Sequence, residues 1–283
     1  MRGAALALEP SIAAVAGGPR WFSPNPSKAW GEKFFLAYTP FWIATMGVLM
    51  ATGAGKRWGD LGLNVAMVVI WAPLVAVPAL VHDEHALGRP WWRAYWCKFN
   101  VWIGIYACVG SYFGSEYFFD VLGMVYNYPQ LAWRLDSALL GSGAQTVPFI
   151  MYPSAHFYFV TYHTLGVIVL RRIRTSDLGA SAWWFWPIAV LAVAYGFAWA
   201  ETFAMTDGAI AEQFTYRNLP RMLRWGSLFY ATYFVVSFPM IYRLDERARD
   251  DWPLRRVAVE ALAAGMLLLF LLDALTRFVG RLY

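Results

Sequence analysis

The chain has 283 residues, of which 59% are hydrophobic and only 14% are charged, and its formal net charge is +5. Soluble globular domains carry about 25% charged residues, so the composition excludes a soluble protein and indicates an all-α membrane protein. The basic residues lie in short segments between apolar runs, as membrane topology requires, so the charge does not indicate nucleic-acid binding. Cys97 and Cys108 have no spacing typical of a disulfide framework or a thiolate metal site.

Seven apolar segments approach the length of about 20 residues that a helix needs to cross a bilayer. Residues 1–24 are predicted to form a flexible N-terminal extension, and residues 25–283 a single transmembrane domain. The sequence therefore predicts a polytopic transmembrane helical bundle with about seven spans, near residues 34–52, 62–81, 99–122, 154–170, 186–205, 222–242 and 257–279.

Lysine and arginine residues are unequally divided between the two sides of such a bundle. Of the 23 residues, 15 fall on the side of the amino terminus, which the positive-inside rule places in the cytoplasm. The long segment 123–153 then lies on the far side, where it could cover a site. We expect an integral, multi-pass protein of a bacterial cell membrane or of the endoplasmic reticulum.

Five ionisable residues fall within the predicted spans, where an unpaired charge costs several kcal/mol and is a functional candidate. They are Glu116, His156, His163, Glu201 and Asp273. Counting residues along the helices at about 1.5 Å each places four of the five in one layer, in the outer half of the membrane.

Two of these candidates have particular chemistry. His156 and His163 are seven residues apart and project from the same helix face, so they could line one pocket, or each could be a structural histidine. Glu201 has apolar or aromatic neighbours along its helix, which favours a neutral carboxylic acid able to donate a proton. The alternative for Glu201 is a structural acid hydrogen-bonded between helices.

Two charged segments have simpler interpretations. The run His82-Asp83-Glu84-His85 resembles a metal-ligand cluster, but its position at the end of the second span favours a solvated loop. The mixed-charge segment 243–256 is interpreted as a topology anchor. We predict no metal site.

Aromatic residues make up 18% of the chain, and many of them belong to interfacial belts. Others lie in mid-span, where flat rings could wall a cavity for a rigid polycyclic ligand and stabilise a cation. We expect substrate binding by Tyr112, Tyr162, Tyr195, Trp199, Tyr230, Tyr233 and Asp273.

Long strings along the chain carry a family resemblance. They are NPSKAWGEKFFLAYTPFW (25–42), YWCKFNVWIGIYACVGSYF (95–113), YFFDVLG (117–123), FVTYHTLGVIVLRRIR (159–174), LFYATYFVVSFPM (228–240) and DERARDDWPLRRVAVEAL (245–262). On these residues the chain resembles the cycloeucalenol cycloisomerase family, over nearly its whole length apart from residues 1–20.

The resemblance implies an isomerase that opens the 9β,19-cyclopropane ring of a pentacyclic sterol, as in the conversion of cycloeucalenol to obtusifoliol. Protonation at the cyclopropane carbon and loss of the C8 proton need an acid and a base, without cofactor, metal or nucleotide. The implied catalytic residues are Glu201, His163, His156 and Glu116. Glu116 departs from the family pattern, since plant members have histidine at that position. The implied partners are the sterol and the lipid bilayer.

Three alternatives stay open at this point. A non-catalytic sterol or lipid carrier would use the aromatic cavity without needing the acids and histidines. A sterol double-bond isomerase would use the same acid and base chemistry on an alkene. A b-type haem protein would use the histidines, although ligands for opposite haem faces normally come from different helices. The oligomeric state is left open.

Overall fold

The computed structural model describes residues 18–81, 88–206 and 212–283. This part of the chain is mostly helical, with one two-stranded sheet. The helices are α1 Pro26–Ala51, α2 Ala54–Arg57, α3 Asp60–Trp71, α4 Pro73–Val81, α5 Tyr95–Val109, α6 Ser115–Tyr117, α7 Met151–Arg174, α8 Asp177–Ser181, α9 Phe185–Ala204, α10 Leu219–Tyr242 and α11 Leu254–Val279. The strands are β1 Met124–Tyr126 and β2 Phe214–Tyr216.

Local sequence explains several helix boundaries. The Asn25 side chain accepts hydrogen bonds from the backbone amides of Ser27 and Lys28, and Pro26 occupies the first position of α1. Asn218 caps α10 in the same way, by accepting from the Arg221 amide. Such caps satisfy amide groups that the helix itself leaves unpaired.

Four helical stretches are long and apolar enough to cross a membrane: Pro26–Ala51, Asp60–Val81, Phe185–Ala204 and Leu254–Val279. The second combines α3 and α4. The predicted bundle of about seven spans is therefore supported for four of them. The other three lie in α5, which has only 15 residues, and in α7 and α10; all three helices bury half or more of their residues.

The stretch between α5 and β1 departs from regular α-helix. Residues Gly110–Gly114 and Phe118–Leu122 are π-helical, on either side of the single turn α6. A Cβ atom on Gly110 or Gly114 would lie 2.9 or 2.3 Å from the nearest atom of the Tyr233 ring, so glycine allows this close approach. Insertions of this kind are frequent at functional sites because they redirect side chains.

The strand pair closes one end of the molecule. β1 and β2 are antiparallel, with Met124 opposite Tyr216 and Tyr126 opposite Phe214. They lie near the amino-terminal end of α7, whereas Arg171, near its other end, is 20 residues away. At about 1.5 Å per residue the two ends of α7 are ~30 Å apart. We call them the cavity end (β1, β2, Met151, Glu201) and the charged end (Lys28, Glu32, Lys98, Arg171, Asp245, Glu246, Asp251).

Residues before α1 contact the charged end. The backbone carbonyl of Trp21 accepts a hydrogen bond from Arg171, and the amide of Ser23 donates to Glu32. Trp21 and Ser23 therefore supply hydrogen-bond partners for buried charged groups at this end.

Candidate active site

A cavity of about 70 Å³ lies at the cavity end, between α7, α9, α10, the π-helical segments and the strand pair. It is lined by Gly110, Ser111, Ser115, Phe118, Met124, Tyr126, Met151, Tyr158, Phe159, Glu201, Met205, Phe214, Tyr230 and Tyr233. Aromatic rings and methionines dominate this lining, and two serines and four tyrosines contribute hydroxyl groups. Among the described residues that line it, Glu201 is the only one besides the tyrosines with an ionisable side chain.

Glu201 lies in the last turn of α9 and is 6% exposed. Within residues 18–81, 88–206 and 212–283, its carboxyl group has no hydrogen-bond partner and no ion pair. Burial of a carboxylate without a cation or donor is strongly unfavourable, so the site favours the neutral acid. A buried acid held ready in this way suits proton donation.

Four stacked aromatic rings form one wall of the cavity. Phe118 stacks on Tyr230 at 4.7 Å and on Tyr233 at 5.5 Å between ring centroids. Phe159 stacks on Tyr233 at 6.0 Å. Because the face of an aromatic ring is electron-rich, this wall attracts a cation that forms next to it.

Burial acts against ionisation of the two tyrosines of the strand pair. Burial, followed by the neighbouring Tyr128 and Glu201, raises the pKa of Tyr126 above its ordinary value. Burial likewise raises the pKa of Tyr216, whose hydroxyl forms a 2.6 Å hydrogen bond with that of Tyr230. Burial thus favours the protonated phenol in both tyrosines of the strand pair.

The two histidines lie outside the lining of this cavity. His163 is fully buried, with Nδ1 2.7 Å from the Phe159 carbonyl and Nε2 2.7 Å from the Ser237 hydroxyl. Both nitrogens of this ring are thus occupied, as in a structural histidine. His156 accepts a 2.9 Å hydrogen bond on Nδ1 from the Trp71 indole, and its Nε2 is buried without a partner among the described residues.

Glu116 lies in a different cavity, of about 200 Å³, together with Asp120 and the loop residues Leu140 and Gly141. Its carboxylate packs against Gly141, where a Cβ atom would not fit. Asp120 accepts a 2.7 Å hydrogen bond from the Ser142 amide. The structure therefore separates Glu116 from Glu201, and in this second cavity Asp120 ties the loop down at Ser142.

Only some of the predicted substrate-binding residues lie at the Glu201 cavity. Tyr230 and Tyr233 line the Glu201 cavity, and Tyr162 packs beside it against Tyr158 and Phe159. The others lie elsewhere: Tyr112 packs on Phe113, Tyr195 and Trp199 are exposed on the outer face of α9, and Asp273 forms an exposed ion pair with Arg277. Glu201 is on the buried face of α9, whereas Tyr195 and Trp199 are on the opposite, exposed face.

Sequence reasoning missed several lining residues, notably Ser111, Ser115, Tyr126 and Tyr158. One signal was present: the run Gly110-Ser111 recurs four residues later as Gly114-Ser115. Small residues at that spacing indicate one helix face on which another chain segment approaches closely. Tyr126 carried no such signal, since only the pairing of β1 with β2 brings it to the cavity.

Buried charges at the charged end were also missed. Arg171 is 1% exposed and uses all five N–H groups, on Glu32, Glu246 and the Trp21 carbonyl, at 2.6–3.0 Å. Lys28 is fully buried and forms a 2.9 Å ion pair with Glu246, and Lys98 pairs with Asp245 and Asp251. Three acids of the segment 243–256, interpreted from sequence as a topology anchor, are thus partners of buried cations.

Metal ligands do not cluster in the part of the chain that the structure describes: no group of three His, Cys, Asp or Glu residues is placed to hold an ion there. The run from His82 to His85 lies outside the described residues.

Comparison with known proteins gives one curated relative. The chain is 39% identical over 264 residues to a protein of Arabidopsis thaliana named Cycloeucalenol cycloisomerase, and the alignment covers 92% of this chain and 89% of the relative. No family model matches the chain. No solved structure matches it significantly.

Proposed function

The chain belongs to the cycloeucalenol cycloisomerase family and is an enzyme of that type, and we propose that it opens the 9β,19-cyclopropane ring of a sterol at Glu201. The observation that carries this assignment is the buried, unpaired Glu201 carboxyl in a cavity walled by stacked aromatic rings. The substrate class is a cyclopropyl sterol such as cycloeucalenol, after which the relative is named.

The reaction is balanced without a co-reactant. A proton adds to the cyclopropane carbon C19, the C9–C19 bond breaks, and the electron deficiency passes to C9. Loss of the proton from C8 then forms the C8–C9 double bond. One proton enters and one leaves, so neither an oxidant nor a reductant is consumed.

Glu201 supplies the proton in this scheme. Once it has donated, its carboxylate remains in the same cavity and can accept the proton that leaves C8, which restores the starting acid. We assign the base to this carboxylate rather than to a histidine, because His163 has both ring nitrogens bonded and neither histidine lines the cavity.

The aromatic wall acts on the intermediate. A positive charge at C9 would lie among Phe118, Tyr230 and Tyr233, whose ring faces favour a desolvated cation by about 2 kcal/mol. Exclusion of water matters equally, because water would capture the cation before C8 lost its proton.

The cavity as it stands is smaller than a sterol. Pockets for ligands of that size are typically about 300–1,000 Å³, against about 70 Å³ around Glu201. Substrate binding therefore requires some lining side chains to move. Met124, Met151 and Met205 are the best suited, because unbranched methionine side chains readjust at little cost.

In the membrane, we propose that α5, α7 and α10 cross together with the four apolar stretches. They form the buried interior of a seven-helix bundle, and the charged end faces the cytoplasm. This arrangement is supported by the excess of lysine and arginine on that side.

The test is turnover of cycloeucalenol by purified protein in detergent. Glu201→Gln should lower kcat by at least about 100-fold, the usual range for loss of a general acid. The variant should stay folded, because the carboxyl has no partner to lose. Glu260→Gln, which changes an acid at the surface of α11, is the matched control and should keep wild-type turnover.

Two results would contradict the proposal. Near-normal turnover by Glu201→Gln would remove Glu201 from the mechanism. Wild-type protein that binds cycloeucalenol and returns it unchanged would instead indicate the non-catalytic carrier.

A further inference from the structure

A second, larger cavity lies at the cavity end. Its volume is about 400 Å³, and it is enclosed by the end of α1, by α2 and α3, and by the start of α7. Four methionines contribute to its lining: Met46, Met50, Met67 and Met151. This volume falls within the range of about 300–1,000 Å³ that is typical of pockets for small organic ligands.

The two cavities have common walls. Met151 lines both of them. Tyr126 lines the Glu201 cavity and Tyr128 the larger one, and the two rings are 6.3 Å apart. In the same way Phe214 faces the Glu201 cavity while its neighbour Gln213 faces the larger one.

Only a thin partition therefore separates the large cavity from Glu201. It consists of the Met151 side chain and the end of the strand pair, where the Asn127 amide donates a 2.9 Å hydrogen bond to the Gln213 carbonyl. Met151 has three rotatable bonds and can move without a change of backbone. Its displacement would join the two cavities into one slot.

The chemistry of the large cavity fits a flat, apolar alcohol. Four methionines, Leu49, Leu63 and Ile150 give it apolar walls, and Thr52, Lys56, Ser154 and Gln213 add polar groups to the lining. A polycyclic skeleton would lie on the apolar walls, and a hydroxyl group at one end would meet the polar groups. The adjacent outer face of α1 is exposed, with Val48 60% accessible, so a ligand dissolved in the bilayer has a short path to the cavity.

We propose that the large cavity is the sterol entry site, and that displacement of Met151 lets the ring system of the bound sterol reach Glu201. This inference rests on the proposed function for its choice of ligand. It adds where the sterol binds, which direction it enters from and which side chain admits it.

The test fills the cavity with tryptophan. Leu49 and Met50 line it from α1, and Met50 is 41% exposed, so the chain can accept a larger side chain there. Val48→Trp is the matched control, because Val48 directly precedes Leu49 but is exposed and does not line the cavity. Each substitution is made in the wild-type chain for kinetics and together with Glu201→Gln for equilibrium binding, with cycloeucalenol as the ligand in both.

Leu49→Trp and Met50→Trp should raise KM and weaken binding by about tenfold, as expected when a pocket loses a few apolar contacts. Their kcat should change by less than about twofold, because neither substitution alters the groups around Glu201. Val48→Trp should match its parent in both assays. If Leu49→Trp fails to fold, Met50→Trp decides the question. Folded variants with unchanged KM and unchanged binding would overturn the entry site. Weakened binding in a protein that never yields product would uphold the entry site and refute the proposed isomerisation.

Discussion

The two ends of this molecule bury ionisable side chains in opposite ways. At the charged end, Arg171 donates all five of its N–H groups, and Lys28 contacts Glu246 and the carbonyls of Tyr242 and Leu244. At the cavity end, Glu201 is equally enclosed but has no partner among the described residues. Burial is thus common to both ends, and the difference lies in whether the charge is matched.

Paired and unpaired buried charges suit different roles, the first structural and the second chemical. A buried pair that is fully hydrogen-bonded fixes the helices that contribute to it, and here α1, α7 and the segment after α10 meet at Arg171. A buried acid without a partner gains nothing for stability and keeps its proton available. The contrast supports the proposal that the charged end holds the helices together and that the reaction takes place at the cavity end.

The largest expected effect on stability comes from breaking the charged end. Arg171→Met leaves Glu32 buried without its ion-pair partner and leaves Glu246 with Lys28 alone, which should lower the free energy of unfolding by about 3–5 kcal/mol. Denaturant titration in detergent measures this. Arg243→Ala, which breaks an exposed pair with Glu260, should cost less than about 1 kcal/mol. Equal losses in the two variants would refute the structural role.

A smaller effect is expected from thinning the aromatic wall. Phe118→Leu keeps an apolar side chain but removes the ring between Tyr230 and Tyr233, and should lower kcat by about tenfold if the ring stabilises a cation. Phe203→Leu is the control, since Phe203 is exposed and stacks only on Trp199 in the described structure. A change in KM alone would show that Phe118 acts in binding and not on the intermediate.

The smallest effect is a change in acid sensitivity. Burial opposes ionisation of Glu246, but the charge of Lys28 and the Arg171 guanidinium outweigh it and lower the pKa of this carboxyl. Its contribution to stability is present above the ordinary glutamate pKa of about 4.3 and is lost as pH falls through the lower folded value. Glu246→Gln should therefore flatten the decline in unfolding free energy below about pH 4.3.

The pH dependence of Glu246→Gln must be compared with that of wild type, because Asp245 contributes to both curves. Burial raises the pKa of Asp245 in spite of Lys98, so its contribution to the pH dependence has the opposite sign. The difference between the Glu246→Gln and wild-type curves isolates Glu246. Parallel curves would show that its ion pairs do not persist in solution.

The sequence alone predicts the fold class, the family and the candidate acid of this protein. The apolar segments identify a helical membrane protein because a bilayer accepts few other structures, and the motif strings identify the family, which the Arabidopsis relative confirms. Glu201 could be singled out because a lone acid in a long apolar run has few explanations other than a structural bond or a reaction.

Only the tertiary structure decided which candidates share a site. Depth along a helix places Glu116, His163 and Asp273 near Glu201 in height, but it carries no information on direction around the helix axis. Packing turned Glu116 toward the loop at Gly141, enclosed His163 with Ser237 and left Asp273 exposed beside Arg277. The unpaired state of Glu201 is likewise a property of its neighbours in space, which come from five separate segments of the chain.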